Sequence, residues 1–233
     1  MKIGILNTDT VQIDGAIEFG QYPEMFSKIF LAVDPNIKFE TYEVQFDDYP
    51  LELNECDAYL ITGSKASSYE NIPWIHALKK FIQKLHVNKK KLIGVCFGHQ
   101  IVAEALGGSV RKSAEGWHVG VDTLTLNKEA FQYGSEGDEY NLIFSHQDEV
   151  ITLPKNAKLI AGSITCPNGM FVIENHIMCT QGHIELDKKF AKIIYDTRKD
   201  QIGNPKYQNA CDTLSKKTDE HEVAAGLLKF LKN

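Results

Sequence analysis

The segment Gly-Val-Cys-Phe-Gly-His-Gln at residues 94–100 constrains this chain more than any other stretch. It follows the strand-like run Lys91-Leu92-Ile93, and a strand that closes on Gly-x-Cys-x-Gly is typical of a nucleophile elbow. Such a turn holds its central residue above a sheet, and its crowded backbone favours glycine on both sides. The sequence therefore predicts that Cys96 is a nucleophile, with a buried structural cysteine as the alternative.

A helix is predicted directly after this turn, over residues 99–106, and Gly107-Gly108 is expected to end it. The amino-terminal end of that helix points at the sulfur. Because this end carries a partial positive charge, it stabilises a thiolate.

Strand and helix patterns alternate through the first half of the chain. Helical spacing of apolar residues after Pro23 and after Pro73 predicts two helices. Later helices are predicted over 186–200, before a break at Pro205, and over 222–231. Strands are predicted at 3–6, 39–44, 58–62, 92–96, 119–126, 142–145, 159–163, 170–173 and 177–181. This order predicts an α/β fold, with a mostly parallel central sheet flanked by helices and extended by antiparallel strands.

Composition narrows the classes of protein to consider. The 233 residues carry a net charge of −6 and lack an internal repeat or linker, so we expect one domain over 1–233 and no nucleic-acid partner. The five cysteines form no CxxC pair, so we expect no disulfide framework, no metal site and no other cofactor. Without a membrane-length apolar run or a signal peptide, the sequence predicts a cytoplasmic protein with no membrane partner.

A cysteine nucleophile needs a base and a group that orients this base. His183 and Glu185 follow the apolar run 177–179, and residues two apart in an extended segment point the same way. Glu185 would then hold the imidazole of His183 with its free nitrogen toward Cys96. Alone, the pair is typical of a surface loop; together with the elbow, it predicts a Cys–His–Glu triad. A zinc deaminase also uses His-x-Glu, but it needs a Pro-Cys-x-x-Cys segment that this sequence lacks.

An elbow enzyme also needs two backbone N–H groups that stabilise an oxyanion. The residue after the nucleophile, here Phe97, supplies one of them. Ile61-Thr62-Gly63-Ser64 ends a neighbouring predicted strand, and its glycine lets an N–H approach a substrate closely. We expect Gly63 to be the second donor, with an ordinary strand-to-loop glycine as the alternative.

Four segments together resemble the class I glutamine amidotransferases. Residues 94–100 match the G-x-C-x-G-x-Q signature of that family, and residues 61–64 are similar to its glycine-rich oxyanion turn. Residues 145–148, with Leu153-Pro154 after them, resemble the Ser-His-x-Asp…Leu-Pro segment of the branch that includes the GMP synthase glutaminase domain. Residues 181–185 resemble the Gln-x-His-Pro-Glu block.

Three details of the sequence bear on the substrate pocket. Ile184 stands where the family usually has proline, and Gly182 where it often has phenylalanine. Both changes are expected to reshape the pocket wall without removing a catalytic atom. The Gly116-Trp117 pair corresponds to a segment beside the substrate pocket in this branch, and a tryptophan that covers the core edge is the alternative.

The resemblance implies a specific chemistry. Cys96 would attack the γ-carboxamide of glutamine and form a γ-glutamyl thioester, which water then hydrolyses. His183 would take the thiol proton and give it to the leaving ammonia, while Glu185 orients His183. Gln100 and the segment Ser145-His146-Gln147 would bind the amino acid.

The fate of the nitrogen stays open at this point. We expect no room for a synthase domain, so the chain would be the glutaminase subunit of a two-chain amidotransferase, whose partner would be a separate synthetase subunit. Alternatively, it would be a stand-alone hydrolase of γ-glutamyl amides or peptides. A non-catalytic binding module that keeps the fold is the third alternative.

Overall fold

Strands and helices alternate along the chain, as the computed structural model describes it for residues 1–13, 17–130 and 137–233. The strands are β1 (Lys2–Asn7), β2 (Lys38–Glu43), β3 (Ala58–Ile61), β4 (Lys91–Val95), β5 (Ser109–Lys112), β6 (His118–Leu126), β7 (Glu139–His146), β8 (Asp148–Thr152), β9 (Ala157–Gly162), β10 (Met170–Ile173) and β11 (Ile177–Thr180). The helices are α1 (Tyr22–Val33), α2 (Pro73–Val87), α3 (Phe97–Ala105), α4 (Lys188–Thr197), α5 (Lys199–Ile202), α6 (Asn204–Thr213) and α7 (Glu220–Lys232).

One large sheet has the strand order β2-β1-β3-β4-β11-β10-β9-β6-β7. The first five strands in this order, β2, β1, β3, β4 and β11, are parallel to one another. The other four, β10, β9, β6 and β7, continue the sheet through antiparallel pairs. A separate small sheet pairs β5 with β8. The α/β class expected from the sequence, a parallel sheet core flanked by helices and extended by antiparallel strands, is confirmed.

Alternating side chains bury both faces of the parallel half. Ile3 and Ile5 of β1 pack with the apolar residues of α1 and α7 on one face. Leu6, on the opposite face, packs with α2 and α3. Because neighbouring residues of a strand point to opposite sides, one short apolar run serves two cores. Among the described helices, none is both long and apolar enough to cross a bilayer.

The structure departs from the sequence predictions mainly after residue 108. Pro205 does not break the chain but lies in the first turn of α6, where its missing N–H would have no helical acceptor in any case. The helix predicted over 186–200 is divided at Arg198 into α4 and α5. Neither strand of the small sheet was expected, because Val110 and Val150 are their only buried residues and give no alternating apolar pattern.

Candidate active site

Cys96 occupies a strained turn between β4 and α3. Its φ of 54° and ψ of −104° lie in a region that residues with a side chain rarely adopt. A Cβ on Gly94 would overlap the carbonyl oxygen of Gly98, and a Cβ on Gly98 would overlap that of Ile61. The Cys96 N–H donates to the carbonyl of Thr180 at the end of β11, 2.9 Å away. The strand, turn and helix predicted from the glycine spacing are therefore present.

His183 and Glu185 are buried just beyond β11. Nδ1 of His183 lies 2.7 Å from Oε1 of Glu185, and the Glu185 side chain is 0% exposed. The backbone N–H of His183 donates to the carbonyl of Ile143 in β7, 2.8 Å away, which fixes this segment against the edge strand. Because the carboxylate accepts from Nδ1–H, the lone pair of the neutral ring lies on Nε2. This Nε2 is buried and bonds to no other described residue.

Gly63 lies next to both Cys96 and His183. A Cβ built on Gly63 would lie 3.4 Å from Cε1 of His183 and 3.7 Å from Cβ of Cys96. Burial by itself would lower the pKa of His183, but the negative charge of Glu185 and the nearby thiol of Cys96 outweigh burial and raise this pKa. The raised pKa favours a ring that carries a proton on both nitrogens, as a base that has accepted the proton of a nucleophile must do.

Two backbone N–H groups near Cys96, those of Gly63 and Phe97, have no acceptor among the residues that the structure describes. The carbonyl of Thr62 accepts from the hydroxyl of Thr8, 3.2 Å away, and that of Cys96 accepts from Gln100 N–H, 3.1 Å away. In a trans peptide the N–H points opposite to the C=O, so these bonds fix the direction of both donors. Such a pair can stabilise an oxyanion.

A cavity of about 460 Å³ opens above Cys96. All four residues expected to bind substrate line it, namely Gln100, Ser145, His146 and Gln147. Gln100 also has an internal role, because its Nε2 donates to the carbonyl of Asp148 at 2.9 Å and to Oε1 of Gln181 at 3.0 Å. Its amide donors are thus used to hold the cavity wall.

Arg198 is a cavity residue that sequence reasoning missed. Nη1 of Arg198 donates to Oγ of Ser145, 3.0 Å away, and the guanidinium lies 5.0 Å from the centre of the Trp117 ring. No motif surrounds Arg198, and the break between α4 and α5 at this residue was not predicted, so nothing in the sequence marks it. Trp117 itself lines the cavity and also packs on the core between β6–β7 and α4, so both expectations for it hold.

The two departures from the family pattern do not lie in the cavity wall, contrary to expectation. Ile184 is 1% exposed and belongs to the core under the sheet. A Cβ on Gly182 would lie 2.7 Å from Cβ of Leu142 and 3.2 Å from the Phe144 ring. A phenylalanine at position 182 would therefore collide with β7 in this chain, which explains its absence.

His146 has one satisfied and one unsatisfied ring nitrogen. Nδ1 lies 2.8 Å from the carbonyl oxygen of Asp148 and must carry the proton of that bond. Burial, followed by the nearby His118, lowers the pKa of His146 well below its usual range. The ring is therefore a neutral group at the cavity wall rather than a cation.

Two proteins are similar to this chain in sequence. "Gamma-glutamyl peptidase 4" of Arabidopsis thaliana is 32% identical over 212 residues, which cover 88% of this chain and 83% of that protein. A glutamine-hydrolysing GMP synthase subunit of Methanosphaera stadtmanae is 40% identical over 75 residues, covering 32% of this chain and 40% of that protein.

A solved structure reproduces the fold over almost the whole chain. The crystal structure of a glutamine amidotransferase from Thermotoga maritima matches with a TM-score of 0.75 at 21% identity, covering 99% of this chain and 96% of that one. The family model "Glutamine amidotransferase class-I" matches residues 16–193, which include the elbow and the His183–Glu185 pair. The chain therefore belongs to the class-I glutamine amidotransferase family.

Proposed function

We propose that this protein hydrolyses the γ-glutamyl amide bond of a small molecule through a thioester at Cys96. One observation carries the proposal: Cys96 lies on the cavity wall, and Gly63 is next to both Cys96 and the ring of His183, which is paired with the buried Glu185. The N–H groups of Gly63 and Phe97 have no acceptor among the described residues. Nucleophile, base, orienting carboxylate and oxyanion donors together make up an acyl-transfer site.

The proposed reaction has two steps. The Cys96 sulfur attacks the γ-carbonyl carbon, the C–N bond breaks, and the proton held by His183 passes to the leaving amine. Water then attacks the thioester carbonyl while His183 takes one of its protons. Glutamate leaves, and the proton returns to the Cys96 sulfur. The N–H groups of Gly63 and Phe97 stabilise the oxyanion in both steps.

The charges around the cavity suit a γ-glutamyl group, which carries an α-ammonium and an α-carboxylate. Arg198, Lys65 and Lys112 can attract the carboxylate, and Asp148 can attract the ammonium. Arg198 is the best-placed cation, because stacking on Trp117 and the bond to Ser145 hold its guanidinium in place.

A γ-glutamyl peptide is the substrate class that this cavity favours. A neighbouring groove of about 700 Å³ shares Trp117 with the cavity and could hold residues beyond the γ-glutamyl group. Arg111 and Lys206 line that groove together with Glu115, Asp122 and Glu149, so it offers opposite charges to both a carboxylate and an ammonium group of a peptide. The similarity to a protein named gamma-glutamyl peptidase supports the same substrate class.

The second candidate is a glutaminase subunit that delivers ammonia to a separate synthetase. The similarity of 75 residues to one component of a GMP synthase favours it. In that case, glutamine would be the substrate, and the partner would raise the rate of its hydrolysis.

Specificity constants distinguish these candidates. The purified chain is assayed with glutamine, glutathione and γ-glutamyl dipeptides, without added nucleotide, and the Cys96→Ala variant serves as the matched control. We expect peptide hydrolysis with a higher kcat/KM than that for glutamine, unaffected by any partner. A strong preference for glutamine that rises further with a synthetase supports the second candidate.

The thioester itself is the stricter test. Rapid acid quenching followed by intact-mass measurement should detect a γ-glutamyl adduct on Cys96. If no γ-glutamyl compound yields this adduct or turns over, both enzyme candidates are wrong and the non-catalytic binding module remains.

A further inference from the structure

A second cluster of reactive side chains lies at the edge of the cavity, where His146 lines the wall, and none of its members belongs to the Cys96–His183–Glu185 set. It consists of His118, His146 and Cys166. One ring nitrogen of each histidine and the cysteine sulfur all lie within 4.8 Å of one another. Cys166 is 4% exposed and His146 is 6% exposed, so the cluster is largely closed to solvent.

The fold holds this cluster on three separate segments. His118 begins β6 and His146 ends β7, and the two are directly opposite in the antiparallel pairing. Their side chains therefore lie on the same face of the sheet, with ring centres 5.0 Å apart. Cys166 comes from the loop between β9 and β10. No sequence motif could indicate the cluster, because its members are 28 and 20 residues apart in the sequence.

Each imidazole has one nitrogen bonded and the other unpaired. Nε2 of His118 lies 3.1 Å from Oδ2 of Asp122, and Nδ1 of His146 lies 2.8 Å from the carbonyl oxygen of Asp148. The remaining nitrogens, Nδ1 of His118 and Nε2 of His146, are buried and make no hydrogen bond within the described part of the chain. An unpaired buried nitrogen is costly, so two in one cluster call for an explanation.

The bonded nitrogens have the partners that metal-binding histidines usually have. A ligating histidine donates its other N–H to a carboxylate or a backbone carbonyl, which fixes the tautomer and the ring orientation. Asp122 is itself held, since its Oδ2 accepts from the hydroxyls of Ser163 at 3.0 Å and Thr165 at 2.6 Å. The lone pairs of both unpaired nitrogens are therefore available to a cation.

We propose that His118, His146 and Cys166 form a zinc site. Two imidazole nitrogens and one thiolate are ligands that Zn²⁺ prefers, at about 2.0–2.3 Å. The three atoms, which lie within 4.8 Å of one another, would move closer together around such a centre. On binding, the Cys166 thiol loses its proton to solvent and the sulfur forms the third bond to the metal. A water molecule takes the fourth position.

The bound ion would stabilise one wall of the cavity. It joins the ends of β6 and β7 to the β9–β10 loop, and His146 is flanked by Ser145 and Gln147, which line the cavity. This inference does not depend on the proposed hydrolysis, because none of the three ligands belongs to the Cys96–His183–Glu185 set.

Metal titration of the whole chain tests the site. After dialysis against a chelator, Zn²⁺ alone is titrated in competition with a chromophoric zinc indicator, and Co²⁺ is used as an optical probe. We expect one Zn²⁺ per chain and a thiolate-to-Co²⁺ charge-transfer band. Cys166→Ser should abolish the band and weaken Zn²⁺ binding at least about 100-fold, whereas Asp122→Asn should weaken binding about 10–100-fold and keep the band.

Cys96→Ala is the control that separates this site from the candidate active site, which also contains a thiol and an imidazole. The band and the affinity should persist in Cys96→Ala. Their loss in Cys96→Ala, or their retention in Cys166→Ser, would overturn the proposal, as would the absence of stoichiometric binding. If Cys166→Ser does not fold, His118→Gln replaces it, and undiminished Zn²⁺ affinity in that variant would equally overturn the proposal.

Discussion

Nδ1 of His183 lies 2.7 Å from Oε1 of Glu185, although only one residue separates the two along the chain. The sequence predicts an extended segment here, but the chain bends on both sides of His183, and this bent path brings the two side chains together. The hydrogen bond from His183 N–H to Ile143 in β7 holds this path in place. Two residues that are close in sequence thus form a buried ion pair.

Substitutions in this pair should lower activity to different degrees. His183→Asn removes the base, and we expect kcat/KM for a γ-glutamyl substrate to fall by about 10³-fold or more, close to the loss in Cys96→Ala. Glu185→Gln keeps the size and a hydrogen-bond acceptor but loses the charge, so a smaller fall of about 10- to 100-fold is expected. Steady-state kinetics measure both. An unchanged rate and pH profile in Glu185→Gln would refute the orienting role.

The same pair should make stability depend on pH. In the folded chain, Glu185 and Cys96 raise the pKa of His183 above the unfolded value of about 6.5. The stabilisation is therefore fully present below about pH 6.5 and is lost as pH rises through the raised pKa. The difference in free energy of unfolding between the original chain and Glu185→Gln should shrink from about pH 6 to about pH 10. Urea unfolding measures this difference, and repeating the comparison in the Cys96→Ala background removes the contribution of the Cys96 side chain. A constant difference would contradict this prediction.

The backbone at Cys96 predicts a stability difference between two inactive variants. Its φ of 54° and ψ of −104° strain any residue with a Cβ, whereas glycine adopts them readily. We expect Cys96→Gly to be more stable than Cys96→Ala by about 1–2 kcal/mol, with neither variant turning over. Chemical denaturation compares them. Cys211 is partly exposed, so Cys211→Ser serves as the control and should keep full activity. Equal stabilities of the two Cys96 variants would show that the turn is not strained.

The central part of the site could be predicted from sequence because each of its residues lies in a short local pattern. Gly94, Cys96 and Gly98 belong to one turn, and His183 and Glu185 lie two residues apart in one short segment. A turn needs glycine where its backbone is crowded, and a two-residue spacing keeps two side chains near each other. Both are local constraints, so the residue pattern alone reveals them.

The rest of the site depends on contacts between distant segments. Arg198 reaches Ser145 only because α4 packs against β7, and no local pattern records that packing. The small β5–β8 sheet, which brings Lys112 and Asp148 to the cavity, buries one residue of each strand, so neither strand has an apolar repeat. The position of Ile184 in the core rather than at the pocket is equally invisible, because isoleucine suits either place.

Arg198 should control substrate affinity rather than the chemical step. Its planar guanidinium stacks on Trp117 and bonds Ser145 while lining the cavity, and a lysine ammonium cannot reproduce this geometry. For Arg198→Lys we expect KM for γ-glutamyl substrates to rise about 10-fold, with kcat within about 2-fold. Lys199→Ala, which removes the neighbouring cation over Tyr207, is the matched control and should leave KM unchanged. A fall in kcat at constant KM would assign Arg198 a different role.

Two glycine-to-alanine substitutions test how tightly the turn is packed. In α3, a Cβ on Gly98 would overlap the carbonyl oxygen of Ile61, whereas in α7 a Cβ on Gly226 would meet nothing within 4 Å. Alanine is favoured over glycine in a helix by about 1 kcal/mol, so Gly226→Ala should stabilise the protein by about 0.5–1 kcal/mol and keep full activity. In Gly98→Ala, overpacking against fixed backbone outweighs that gain, and a net loss of about 1–3 kcal/mol with a large fall in kcat is expected. Urea midpoints and initial rates of the two variants, measured side by side, check the contrast. A Gly98→Ala chain as stable and active as Gly226→Ala would mean that the turn can relax, and that close approach of β3 to α3 does not position Cys96.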